Sequence, residues 1–166
     1  MLSRRELLKT GAAGVALLTL ADCARHVGAI SATDRAAVMK IADAMLDGAI
    51  PSSASGRAGA LEVAANGFTT AVEGLPPHLQ HDVQQLLSLL TFAPTRRMIA
   101  GLPPWSAVTR SEVQAFLSRW RFSRFTLLRS GYDALHRLVM AGWYGNTASW
   151  ARIGYPGPPE IEVPER

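Results

Sequence analysis

The chain holds a single cysteine, Cys23, and only two lysines, Lys9 and Lys40. One thiol cannot make an internal disulfide, and there is no Cys-x-x-Cys-His to attach haem. No Gly-x-Gly-x-x-Gly follows a strand-like segment to hold a dinucleotide. A nucleophile with a local base is absent too, which leaves only a triad assembled in space as a route to hydrolytic chemistry. No segment alternates apolar and polar residues in the manner of a strand, and there is no internal repeat. The uncharged stretch from Thr10 to Ala21 is shorter than the roughly 20 apolar residues a spanning helix needs.

What is present begins at the N-terminus with Ser3-Arg4-Arg5-Glu6-Leu7-Leu8-Lys9, ahead of that weakly apolar stretch. Paired arginines in this position form a twin-arginine (Tat) export signal, an address read by a receptor rather than an anchor. Leu7 stands where the consensus has Phe, and it keeps the large apolar side chain. Lys9 and the small residues Gly11 to Gly14 favour this route over Sec export, and the lack of a polar face disfavours an ordinary amphipathic helix. Two processing routes stay open. Val27-Gly28-Ala29 offers small side chains for cleavage after Ala29, whereas Leu20-Ala21-Asp22-Cys23 is similar to a lipoprotein box with Asp22 in place of a small residue. The expected organisation is a signal over 1–29 and one domain over 30–166.

With 48% hydrophobic residues, the chain can supply a core and is not a disordered exported segment. The signal carries four of the positive and two of the negative charges, so the net charge falls from +4 to +2 without it. That modest charge and the export signal argue against a nucleic-acid partner. Charge is nonetheless uneven: eight arginines lie between Arg96 and Arg137, against only Glu112 and Asp133. Arginine suits protein interfaces, because its planar fork binds carboxylates in pairs and sheds water readily. The same run also reads as a solvated basic face in a chain that prefers arginine to lysine.

Helical periodicity organises the rest. Val38, Ile41, Ala42, Met45 and Leu46 predict a first helix with Thr33 as N-cap and Asp47-Gly48 as stop. Pro51 to Gly59 reads as a loop containing Arg57, and Ala60 to Glu73 as a helix interrupted at Gly67. Pro76-Pro77 opens a helix with Leu79, Val83, Leu86, Leu87 and Leu90 on one face, and Arg96 to Ala100 adds a turn. Thr109 and Glu112 form a capping box before Val113, Phe116, Leu117 and Trp120. The last long helix is expected from Ser123 to Tyr144, with Phe125, Leu128, Tyr132, Leu135 and Val139 inward. Gly145 and Asn146 are expected to stop it in the left-handed conformation. The fold class is therefore all-α, about five helices followed by a non-helical Pro/Gly/aromatic tail.

Candidate chemistry is sparse. His78 and His81, three apart, would share a helix face but have no third metal ligand, so they read as solvent-exposed. His136 reads as a surface residue. Asp43 and Asp47, four apart, are an acid–base pair at most, and more simply the wet side of the first helix. Met39, Met45, Met98 and Met140 read as core filling. Catalytic, cofactor and metal residues are accordingly expected to be none.

The segment Leu135-His136-Arg137-Leu138-Val139-Met140-Ala141-Gly142-Trp143-Tyr144-Gly145-Asn146, then Trp150, then Ile153-Gly154-Tyr155-Pro156-Gly157-Pro158-Pro159, resembles the gluconate 2-dehydrogenase subunit 3 family. Ile41 to Leu46 running into Ile50-Pro51 is also similar, whereas 54–105 is not. The resemblance implies an accessory subunit without catalytic residues. Such a subunit accompanies an FAD-dependent GMC-type sugar or alcohol dehydrogenase, with FAD in that partner and often a cytochrome c subunit beside it. It implies a periplasmic, membrane-associated complex exported by the Tat translocase. The expected partner-binding residues are Trp143, Tyr144, Trp150, Tyr155, Pro156, Arg119, Arg121 and Arg124. Of these, Trp143 is expected to turn inward, and Trp150 to Pro159 to be exposed or shared with the partner. An independent lipoprotein or binding module, or an enzyme with a spatially assembled site, are the alternatives.

Overall fold

The computed structural model describes residues 30–158, which form seven α-helices and no strand among the described residues. They are α1 (Ala32–Met45), α2 (Ala54–Glu73), α3 (Pro77–Thr91), α4 (Ala93–Thr95), α5 (Arg110–Arg121), α6 (Thr126–Tyr144) and α7 (Thr147–Ile153). A π-helical turn, Arg96–Ala100, continues α4 and ends at Gly101 in the left-handed region, with φ 66°. The five longer helices share one core, in which Phe68, Phe116, Ile41, Leu87 and Leu135 are fully buried.

Local chemistry sets the boundaries. The N-cap of α1 is Ser31, not Thr33: the Ser31 hydroxyl accepts from Asp34 N at 3.1 Å, and Asp34 accepts from Ser31 N at 3.4 Å. An acid three residues on closes this reciprocal box for Ser31, while Thr33 faces Ala36 and has no such partner. The box predicted at α5 is present, with Thr109 N donating to Glu112 at 2.8 Å. Pro77 occupies the first turn of α3, where its missing N–H costs nothing.

Helix α2 starts six residues earlier than expected and runs unbroken through Gly67. The glycine serves a crossing instead of a break. A Cβ on Gly67 would lie 2.2 Å from Gly142 O on α6, and a Cβ on Gly142 would lie 2.5 Å from Phe68 N. Two glycines thus let α2 and α6 touch backbone to backbone, in the most extensive helix contact of the fold.

At the other end of α6, the expected start at Ser123 moves to Thr126. Ser123 to Phe125 form a turn instead, with Phe125 N donating to Ser123 Oγ at 3.1 Å and Arg129 to Ser123 O at 2.7 Å. Gly145 and Asn146 do stop α6, but neither is left-handed. Asn146 is extended and caps α7 by accepting from Ala148 N at 2.9 Å. The tail expected to be non-helical therefore contains a two-turn helix before its irregular part.

Candidate functional site

The α5–α6 corner carries three exposed large apolar side chains close together in sequence. Phe122 is 77%, Phe125 56% and Leu127 81% exposed. Their position follows from helix phase. The buried stripe of α5 is Val113, Phe116, Leu117 and Trp120, so Phe122 lies two residues beyond it, about 200° around the helix. Phe125 precedes the first turn of α6 and so misses that helix's inward phase, which corrects its expected place in the core.

Arginines lie over these rings. The Arg121 guanidinium is 5.3 Å from the Phe122 centroid and 5.9 Å from that of Tyr132, and Arg124 is 4.9 Å from Phe125. Arg119 is tied to Ala100 O at 2.6 Å, and Arg129 to Ser123 O. None of these four arginines forms an ion pair among the described residues. No carboxylate occurs between Val113 and Tyr132. A shallow hollow of about 190 Å³ opens beside the corner, lined in part by Ala44, Met45, Leu117, Phe122 and Tyr132.

A second aromatic surface sits at the far end of α6. Trp143, named among the partner-binding residues but expected to turn inward, does so: it is 2% exposed and belongs to the core. Tyr144 is partly exposed; Trp150 is half-buried, and its indole donates to Tyr144 O at 3.0 Å. Tyr155 meets Trp150 edge to face at 5.2 Å, and both Tyr155 and Pro156 reach the surface. The tail thus folds back on its own helices while presenting one aromatic edge outward.

An ion network joins α1, α2 and α5, and it was not anticipated. Arg57 belongs to the first turn of α2, not to a loop. It donates to Asp43 Oδ1 at 2.5 Å and to Asp47 at 3.3 Å, while Arg110 donates to Asp43 Oδ2 and to Asp47, both at 2.9 Å. Burial raises the Asp43 pKa, but hydrogen bonds and charge from Arg110 and Arg57 outweigh it, and the carboxyl ends below its ordinary value. The same contacts with Asp43 push Arg110 upward. The Glu112 carboxyl is lowered by the backbone and side-chain bonds of its capping box. Two carboxylates this firmly held by two guanidiniums form a clamp between helices rather than an acid–base pair.

His78 and His81 are exposed, and the His81 ring pairs with the Gln85 amide at 2.7 Å. His136 is half-buried and stacks on Tyr132 at 5.6 Å. Met98 is 79% exposed, which corrects its expected place in the core, while Met39, Met45 and Met140 pack against the core as expected. Among the described residues no group of three potential metal ligands comes together, and no helix is long and apolar enough to cross a membrane. The export signal residues Arg4, Arg5, Leu7, Leu8 and Lys9, and the processing candidates Cys23 and Ala29, lie outside the described residues. Compared with known protein families, with curated proteins and with solved structures, the chain gives no match.

Proposed function

We propose that this chain is a non-catalytic small subunit that helps an FAD-dependent GMC-type sugar or alcohol dehydrogenase mature, escorts it through the Tat translocase and stabilises it in the periplasm. The flavin belongs to the partner, a cytochrome c subunit can complete the assembly, and membrane association comes through that complex. The observation that carries this reading is surface chemistry. Helix α6 has exposed aromatic side chains at both ends, with arginines free of carboxylates at one of them. Aromatic and arginine side chains are enriched where proteins meet. The twin-arginine signal and the resemblance of residues 135–159 supply the identity of the partner.

The test is co-expression of the candidate dehydrogenase with the full chain, with the chain lacking residues 150–166, or alone. Periplasmic flavin-dependent activity is expected with the full chain, reduced activity with the truncated one, and very little without it. Full periplasmic activity of the dehydrogenase expressed alone removes the escort role.

A further inference from the structure

We infer that the α5–α6 corner is the chain's principal docking point, and that it receives an acidic protein surface carrying one projecting apolar side chain. The inference rests on the reading that the chain serves a protein partner, and it goes further by naming the surface and the chemistry that fits it.

Three features define the occupant. Phe122, Phe125 and Leu127 project from a seven-residue span in which Arg121 and Arg124 are the flanking charges. These guanidiniums lie over their neighbouring rings and pair with no carboxylate among the described residues, so they can take one from a partner. With no acid from Val113 to Tyr132, the corner's positive field is not cancelled within its own sequence, so an acidic surface is the complementary one. The hollow between Met45, Leu117, Phe122 and Tyr132 adds a pocket for a single inserted side chain. That concavity favours a protein over a lipid surface, because a bilayer accepts projecting apolar groups but offers no knob to fill a hole.

The experiment co-expresses the candidate flavoprotein with the full chain and with two paired variants, Phe122→Ser with Phe125→Ser and Arg121→Gln with Arg124→Gln. Co-purification is measured across a salt series. All four side chains are largely exposed, so circular dichroism and the melting temperature are expected to match the parent. His78→Glu with His81→Glu adds carboxylates on α3 outside the corner and controls for net charge. Each corner variant is expected to weaken co-purification at least tenfold, and the parent's binding to weaken with salt, while the histidine variant binds as the parent does. Undiminished binding by either corner variant overturns the docking site while leaving the partnership intact. A parent chain that retains no flavoprotein overturns the partnership itself, and the docking proposal with it. Two parallel measurements separate other occupants. Corner-dependent pelleting with phosphatidylglycerol vesicles assigns the surface to a membrane, and corner-dependent dimerisation in light scattering assigns it to a second copy. Either result also overturns the proposal.

Discussion

At Asp43 the balance between burial and charge is decided by two arginines from different helices. The side chains of Asp43 and Arg57 are 17% and 16% exposed, intermediate between a surface pair and a buried one. Surface pairs contribute about 0–1 kcal/mol and broken buried pairs cost about 3–5, so Asp43→Asn is expected to destabilise by about 1–2 kcal/mol at neutral pH. The pH dependence follows from the direction of the shift. The folded pKa is depressed, so between it and the ordinary value of about 3.9 the unfolded chain holds a proton that the folded chain has released. The contribution is fully present above about pH 4 and is lost as pH falls through the folded pKa. Urea midpoints measured from neutral pH down into that window should fall more steeply for the parent than for Asp43→Asn. Glu112, also lowered, leaves the variant a residual slope. Parallel curves for the two proteins would show that the network contributes no linkage.

Helix α2 separates what a local reading of sequence reveals from what it hides. Its helical character from Ala60 and its end at Glu73 were legible in the sequence, as were the capping box at Thr109 and the Pro77 start. Gly67 was misread because a helix-interior glycine is locally unfavourable, and the residue that justifies it, Gly142, lies 75 positions further along the chain. Arg57 was lost for the same reason, since Asp43 and Asp47 make it structural only after α1 and α2 are packed. At the corner, the exposure of Phe125 depended on where α6 begins, and a turn held by Ser123 shifted that start by three residues. Two glycine substitutions in α2 should therefore have opposite signs. Gly67→Ala gains up to about 1 kcal/mol of helix propensity but drives Cβ into the Gly142 backbone, a clash expected to cost about 1–3 kcal/mol or more. Gly59→Ala meets nothing within 4 Å and keeps the propensity gain, about 0.8–1 kcal/mol. Thermal unfolding should thus place Gly59→Ala above the parent and Gly67→Ala below it. A Gly67→Ala protein as stable as the parent would mean that the two helices are not in backbone contact.

For the whole molecule, the folded domain and the N-terminal arginine pair make a joint demand. The core draws on α1, α2, α3, α5 and α6, so the domain cannot pass through a channel built for extended chains without losing it. Under the proposed function the partner's flavin site must also be assembled before export. The domain alone could cross unfolded and refold, so it is the flavin requirement that calls for a route accepting folded cargo, which is the route a twin-arginine signal specifies. Lysine preserves the charge of the signal but not the planar guanidinium fork. Replacing Arg4→Lys and Arg5→Lys together should therefore leave the domain folded and its complex assembled, yet hold both in the cytoplasm. Fractionation should find the chain and the flavin-dependent activity moving together, with the cytoplasmic complex active towards an artificial electron acceptor. Mass spectrometry of the exported parent would then distinguish a chain beginning at Ile30 from one lipidated at Cys23. If the double-lysine chain reaches the periplasm at the parent's yield, the export assignment is wrong. Should the chain stay inside while the dehydrogenase activity still leaves, export by escort fails even though the signal itself is real.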